Sequence, residues 1–352
     1  MENISTLRDG TVPTPPLVYH FGHWDNCKID GAKRVKLLVV HDGHQEFGYE
    51  IDDLRRAGLA ADCEVEILTV VDLFLAPLYW ANGDTPDLGY YYDDRISSRY
   101  SLRNVAELFY KMETESRLAR KKLKAAFPSW SVRRTVSAEL PSRAVIDKAI
   151  RWQPDLVVIG SNNLTWMERR GLRRLTRRLI SQAHCSVRVV RPPRGSTETP
   201  SRIMIAFDGS NSATAALETV RQRTWTAGSE AYVLSCVEPL IADELNWADD
   251  FVELDRRRAE RELALAKTLL EESGLKVSTI IPVGDPVQTL VDEAQRLNVE
   301  SIFLGTREFG VVETLLFRSV STTVACRANC SVEIVRSSQE PQLRVGEQCL
   351  AA

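Results

Sequence analysis

No uninterrupted apolar run in the 352-residue sequence approaches the roughly 18 residues that a membrane-spanning helix needs, so no membrane partner is expected. A basic balance is missing too. Lys and Arg number 45 against 48 Asp and Glu, a formal net charge of -3, without the footprint of a wholesale nucleic-acid binder. The seven cysteines include no Cys-x-x-Cys pair, and Cys326 and Cys330 have no histidine nearby to complete a metal set. Buried reduced thiols are the expectation. Histidines are few: the close pairs are His20/His23, in a tail, and His41/His44, beside a turn. No metal site is assigned. The opening Met1-Glu2-Asn3-Ile4 lacks the basic region and apolar core of a signal peptide, and the cytoplasm is the expected location.

What the sequence does hold is a repeat. Ala183-His-Cys185-Ser-Val-Arg-Val-Val-Arg191 returns as Ala328-Asn-Cys330-Ser-Val-Glu-Ile-Val-Arg336. The spacing from Cys185 to Cys330 also pairs Gly160 with Gly305 and Pro141 with Pro286. Upstream, Val35–Gly43 resembles Ser201–Gly209, with Asp42 matched by Asp208. That spacing is wider, so the first copy carries a net insertion of about 21 residues. The insertion falls near 80–100, in a stretch rich in Gly, Asp and Tyr; a lid, a partner surface and a tucked loop are equally open readings of it. The organisation that follows is a tail over 1–32, a first domain over 33–191, a Pro-rich linker over 192–200, a second domain over 201–337 and a tail over 338–352.

Each copy alternates apolar strands with helical patterns. In the second, strands are predicted over 202–207, 231–237, 276–282, 301–304 and 332–335, separated by helices, with Ser210 or Ser212 as the N-cap of the first helix. Gly274 closes the second helix. Strands apolar on both faces and separated by helices imply a parallel sheet covered on both sides. Each copy is therefore an α/β, doubly wound, five-stranded unit, with any ligand site outside the carboxyl ends of the strands.

Four features together resemble the universal stress protein family: Asp208-Gly-Ser210 after strand one, Leu304-Gly-Thr-Arg307, Ser319-Val-Ser321 and the closing Ala-x-Cys-x-Val segment. The resemblance covers residues 34–191 and 201–336. It implies the adenine nucleotide α-hydrolase-like fold of strand order 3-2-1-4-5, with two domains pairing through their fifth strands. One polypeptide would then supply its own pseudo-dimer, with a further homodimer of chains left open. Many members of that family bind ATP through a Gly-x-x-Gly, nine residues, Gly-Ser/Thr pattern, in which glycines let backbone N–H groups approach phosphates.

This sequence departs from that pattern. Gly305 and Ser319 remain, but Glu308 and Arg318 replace the other two glycines; in the first copy Gly160 remains beside Asn163, Arg173 and Arg174. A carboxylate at 308 facing phosphates would cost on the order of 1–4 kcal/mol. The resemblance thus implies a degenerate nucleotide site in the second copy, made of Ala206, Asp208, Val237, Gly305, Thr306, Ser319, Val320 and Ser321. The opposing reading keeps these residues for turns and helix packing. No cofactor is required, and ATP is an optional ligand. The expected role is a non-enzymatic one in stress response or signalling. An ATP-hydrolysing or nucleotide-transferring enzyme is the alternative, disfavoured because no Ser-Gly-Gly loop follows strand one and no Ser/His/Asp or paired-carboxylate set stands out. A further alternative is anion or RNA capture by the cluster from Arg169 to Arg178, with Arg169, Arg173 and Arg177 as the anion-binding candidates; a solvated helix face is the plainer reading.

Overall fold

A computed structural model describes residues 34–41, 47–70, 102–137, 140–160, 175–192, 199–238, 248–306 and 320–336. Both expected tails, the aromatic stretch near 80–100 and positions 193–198 of the expected linker lie outside them. Among the described residues the aliphatic runs form ten strands. The first repeat holds β1 (Val35–His41), α1 (Tyr49–Arg56), β2 (Cys63–Val70), α2 (Leu102–Ala126), β3 (Ser131–Ser137), α3 (Pro141–Trp152), β4 (Leu156–Gly160), α4 (residues 175–182) and β5 (Ser186–Val190). The second holds β6 (Arg202–Ala206), α5 (Asn211–Arg221), β7 (Glu230–Leu234), α6 (Ala248–Glu271), β8 (Lys276–Ile280), α7 (Pro286–Arg296), β9 (Ser301–Gly305), α8 (Val320–Arg327) and β10 (Ser331–Val335).

Local chemistry sets the boundaries. Ser210 caps α5 by accepting the Ala213 N–H at 3.2 Å, and Asp285 caps α7 by accepting that of Gln288 at 2.8 Å, with Pro286 in the first turn. Gly274, at φ +84°, follows the end of α6 as its sequence position predicts. The second strand of the second repeat is shorter than its apolar run: β7 ends at Leu234, and pairing resumes for a single bridge between Val237 and Val283.

The strand order is β3-β2-β1-β4-β5-β10-β9-β6-β7-β8, which is 3-2-1-4-5 in each repeat. Pairing within each repeat is parallel, and β5 meets β10 antiparallel with Arg188 opposite Glu333. The two five-stranded sheets therefore fuse into one of ten strands. This covers the β5 and β10 edges, whose unpaired N–H and C=O groups would otherwise invite pairing with other chains. One face carries a continuous core through both repeats, including Val187, Val189, Val332 and Ile334. On the other face the cores are separate: Phe47, Leu54 and Trp130 in the first, Leu217, Leu263 and Phe303 in the second.

The repeated closing motif acts across this junction. The Arg191 N–H donates to Ser331 Oγ at 3.0 Å, and the Arg336 N–H to Ser186 Oγ at 3.2 Å. The Arg191 guanidinium reaches the carbonyls of Ala325 and Ala328 at the end of α8, at 2.8 and 3.3 Å, while that of Arg336 reaches the Ile180 carbonyl in α4. A cation there suits the negative end of a helix. Arg191 and Arg336 are counterparts in the repeat, as are Ser186 and Ser331. Their reciprocal bonds mark a pseudo-twofold axis.

Between the separate cores lies a buried ionic row. Arg188, 1% exposed, grips Asp53 of α1 with two bonds of 2.6 and 2.9 Å and donates to Glu333 at 3.1 Å. The other oxygen of Glu333 accepts from Arg223, which also donates to the Ala57 carbonyl at 2.7 Å. Burial works against the Arg188 charge, but Asp53 and Glu333 outweigh it and hold the guanidinium above its ordinary pKa. Burial, reinforced by Arg188, draws Arg223 lower despite Glu333. Arg56 and Glu300 add a second ion pair between the repeats.

Of the five described cysteines, Cys63, Cys185 and Cys330 are buried as expected, whereas Cys236 and Cys326 are half-buried. Cys63 and Cys185 are buried and free, and burial pushes both from 9.0 up to about 11. A raised thiol pKa favours the protonated folded state. The contribution is therefore complete below pH 9 and lost as pH rises through about 11. At pH 8, iodoacetamide should leave Cys63 and Cys185 unmodified in the native protein and alkylate both after unfolding, as read by peptide mass mapping. Rapid native labelling of either would contradict their burial.

Candidate functional site

In an open α/β sheet the ligand position lies at the strand tips where the order reverses, here between β1 and β4 and between β6 and β9. At the second of these, β6 ends at half-buried Ala206, and the chain turns through exposed Asp208 and Gly209, the latter at φ +74°. Asp208 Oδ1 accepts the Ser210 N–H at 3.0 Å, Ser210 Oγ lies 3.0 Å from Ser212 Oγ, and α5 begins. The α5 N-terminus lies directly against the tip of β9. A Cβ added to Gly305 would collide with the Ser212 carbonyl group and come within 2.6 Å of the Ala213 nitrogen. The carboxylate of Glu262, from α6, covers Gly209 and pairs with Arg258 at 2.8 Å.

The structure thus brings Ala206, Asp208, Gly305 and Thr306 to neighbouring strand tips, and gives several residues of the sequence-derived set structural tasks. Gly305 is required by close backbone packing. Val237 is buried, and its bridge is held by bonds of 2.9 Å to Pro282 and 3.0 Å from Gly284. Thr306 is 5% exposed, and its N–H donates to the Val335 carbonyl at 3.0 Å. Ser321 is buried within the first turn of α8, whereas Val320 is 37% exposed. Ser319, Glu308 and Arg318 lie outside the described residues, as do Arg169 and Arg173. Arg177 is exposed on α4, while Leu179 is fully buried. The adjacent Arg178 donates to Ser142 at 2.9 Å.

The corresponding corner of the first repeat is built differently. His41, 3% exposed, ends β1; its ring meets Phe47 edge-on at 5.2 Å, and Nδ1 lies 3.3 Å from Thr69 Oγ1. The obstacle at Gly160 is a side chain, not backbone: the Glu50 carboxylate, 5% exposed, stands where a Cβ of Gly160 would be. A buried carboxylate therefore occupies the space between α1 and the tip of β4. Sequence reasoning missed Glu50, because nothing in the α1 segment marks a contact with a glycine so distant along the chain.

The model of the universal stress protein family matches residues 36–191 and again 200–336. A stress response protein, NhaX, of Bacillus subtilis is 26% identical over 164 residues, covering 38% of this chain and 97% of that protein. A universal stress protein encoded beside a sulfhydrylase gene in Thermus aquaticus is 28% identical over 135 residues, again 38% of this chain and 97% of the relative. Among solved structures, a universal stress protein from Archaeoglobus fulgidus covers 86% of this chain and 96% of its own, with a TM-score of 0.57 at 18% identity. The last shows likeness of fold.

The two glycines differ in what surrounds them, and this gives a paired prediction. Gly305→Ala forces a methyl group into fixed backbone and should destabilise the protein by about 1–3 kcal/mol. Gly160→Ala first meets the movable Glu50 side chain and should cost less. Urea unfolding of both variants checks the order; a neutral Gly305→Ala would mean that α5 does not rest on β9.

Proposed function

This chain belongs to the universal stress protein family, and from that premise we propose that it is a non-enzymatic cytoplasmic stress-response protein whose second repeat alone takes a nucleotide. The carrying observation is the contrast between the two strand-tip corners. In the first, the Glu50 carboxylate fills the space beside Gly160, so a phosphate there would meet that side chain instead of backbone N–H groups. In the second, the same corner is lined by neutral backbone from Ser212 and Ala213, and the nearby Glu262 charge is paired with Arg258. The α5 N-terminus adds a dipole favourable to anions, and exposed Asp208 supplies an acceptor for ribose or adenine groups.

ATP is the ligand this reading favours, held loosely as a regulatory ligand. Its affinity is limited because Gly305 and Thr306 are committed to packing and to the β10 backbone. The absence of chemistry is proposed on the residues described at the two corners. The His41 ring and the Thr69 hydroxyl beside it are 3% and 0% exposed, out of reach of a ligand at the strand tips.

Calorimetric titration of the full chain with ATP should give one site per chain. Asp208→Ala should weaken binding roughly 10–100-fold, the effect of losing a hydrogen bond to a charged group, while Glu50→Gln should leave the measured site unchanged. ADP formation should not exceed that in buffer. No heat at millimolar ATP would overturn the nucleotide reading, and turnover lost in Asp208→Ala would overturn the non-enzymatic one.

A further inference from the structure

The closing motif is nearly identical in the two repeats, and it reverses charge at one position: Arg188 in the first, Glu333 in the second. These residues are counterparts in the repeat, and they also face each other in the β5–β10 register. The pseudo-twofold axis therefore passes between them. A residue on such an axis would face itself in any pairing of two identical repeats.

Their buried partners are asymmetric as well. At the spacing that matches Asp42 with Asp208, Asp53, which holds Arg188, has Thr219 as its counterpart. By the same spacing Arg223, which holds Glu333, corresponds to Ala57. Each repeat thus carries its own internal pair, Asp53 with Arg188 and Arg223 with Glu333. Across the axis the charges run negative, positive, negative, positive. Two first repeats would run negative, positive, positive, negative, with two guanidinium groups opposed. Two second repeats would oppose two carboxylates. Arg188 and Glu333 are each 1% exposed, so water cannot screen that opposition, and like charges placed opposite each other in a strand pair are destabilising. Phe303 adds to the bias. Its ring lies 5.1 Å from the Arg223 guanidinium and 5.9 Å from that of Arg188, and its counterpart in the first repeat is the smaller Val158.

We propose that this ionic row is a pairing code: the fifth-strand edge of each repeat accepts the other repeat and rejects a second copy of itself. The shared core of Val187, Val189, Val332 and Ile334 and the Arg191 and Arg336 ties hold the junction together, and neither distinguishes the repeats. The charges supply that distinction, a use in which a repulsive element matters as much as an attractive one. The partner this edge fits is the unlike repeat of this chain.

The test folds the full chain first and cuts it afterwards, at a protease recognition sequence placed within 193–198. The nicked protein is incubated at a urea concentration that permits exchange, returned to buffer and weighed by native mass spectrometry. Pairs of one first and one second repeat are expected, with like pairs fewer than about one in ten, a preference of at least the tenfold that separates two affinities by one decade. A variant with the row made apolar (Asp53→Leu, Arg188→Met, Arg223→Met and Glu333→Leu) should form like pairs freely while keeping native far-UV circular dichroism. Glu333→Gln, which keeps shape and a hydrogen-bonding group, serves the same purpose where the apolar set does not fold, and should raise the share of like pairs. Like pairs at statistical abundance in the unsubstituted protein would overturn the proposal, as would unlike pairing kept as strictly after the charges are removed.

Discussion

The contact between Arg188 and Glu333 is the constraint on which the architecture turns. Two strands meeting on a twofold axis must present something to each other there, and on the face away from the shared core this protein presents opposite charges at 3.1 Å. Such a contact is open only to unlike repeats. Once formed, it closes two sheet edges and aligns Val187 and Val189 with Ile334 and Val332, so that one apolar layer runs beneath both repeats. The motif's arginines then reach helix ends in the opposite repeat. Burying four charges is costly in itself, and an apolar replacement can be as stable. The row is therefore better understood as a device of specificity than as a source of stability.

Duplication also released the two strand-tip corners from each other. With both copies in one chain, a change in one is not imposed on the other. The first repeat brings Glu50 against Gly160, and the second brings the α5 backbone against Gly305. The glycine is kept in both, for different reasons: a side chain fills the space in one and a helix N-terminus in the other. That divergence is consistent with a protein in which one repeat engages a ligand and the other serves as scaffold.

Much of the fold could be read from the residues because a repeat with a constant offset carries its own alignment. The shift between Cys185 and Cys330, the glycine at each fourth strand and the alternation of apolar runs with helical periods specify a doubled parallel-sheet unit, and the family resemblance adds the strand order. The site was less legible. Gly305 invited a phosphate-binding interpretation, yet its packing against Ser212 and Ala213 requires glycine with or without a ligand. Thr306 and Ser321 look like polar ligand contacts in sequence and are buried in the structure. The ionic row depends on contacts between Asp53, Arg188, Arg223 and Glu333, beyond the reach of any local pattern. One signal for it was nonetheless present: the single reversal of charge, from Arg188 to Glu333, inside an otherwise repeated buried strand.

A double-mutant cycle across the axis measures the central contact most directly. Arg188→Met and Glu333→Leu, made singly and together, would be followed by equilibrium unfolding in urea. Each single change leaves a buried charge without its partner and should cost about 3–5 kcal/mol. The double change should cost less than the sum, by at least about 1 kcal/mol of coupling. Additive losses would mean that the two residues do not sense each other, and the account of the junction would fail.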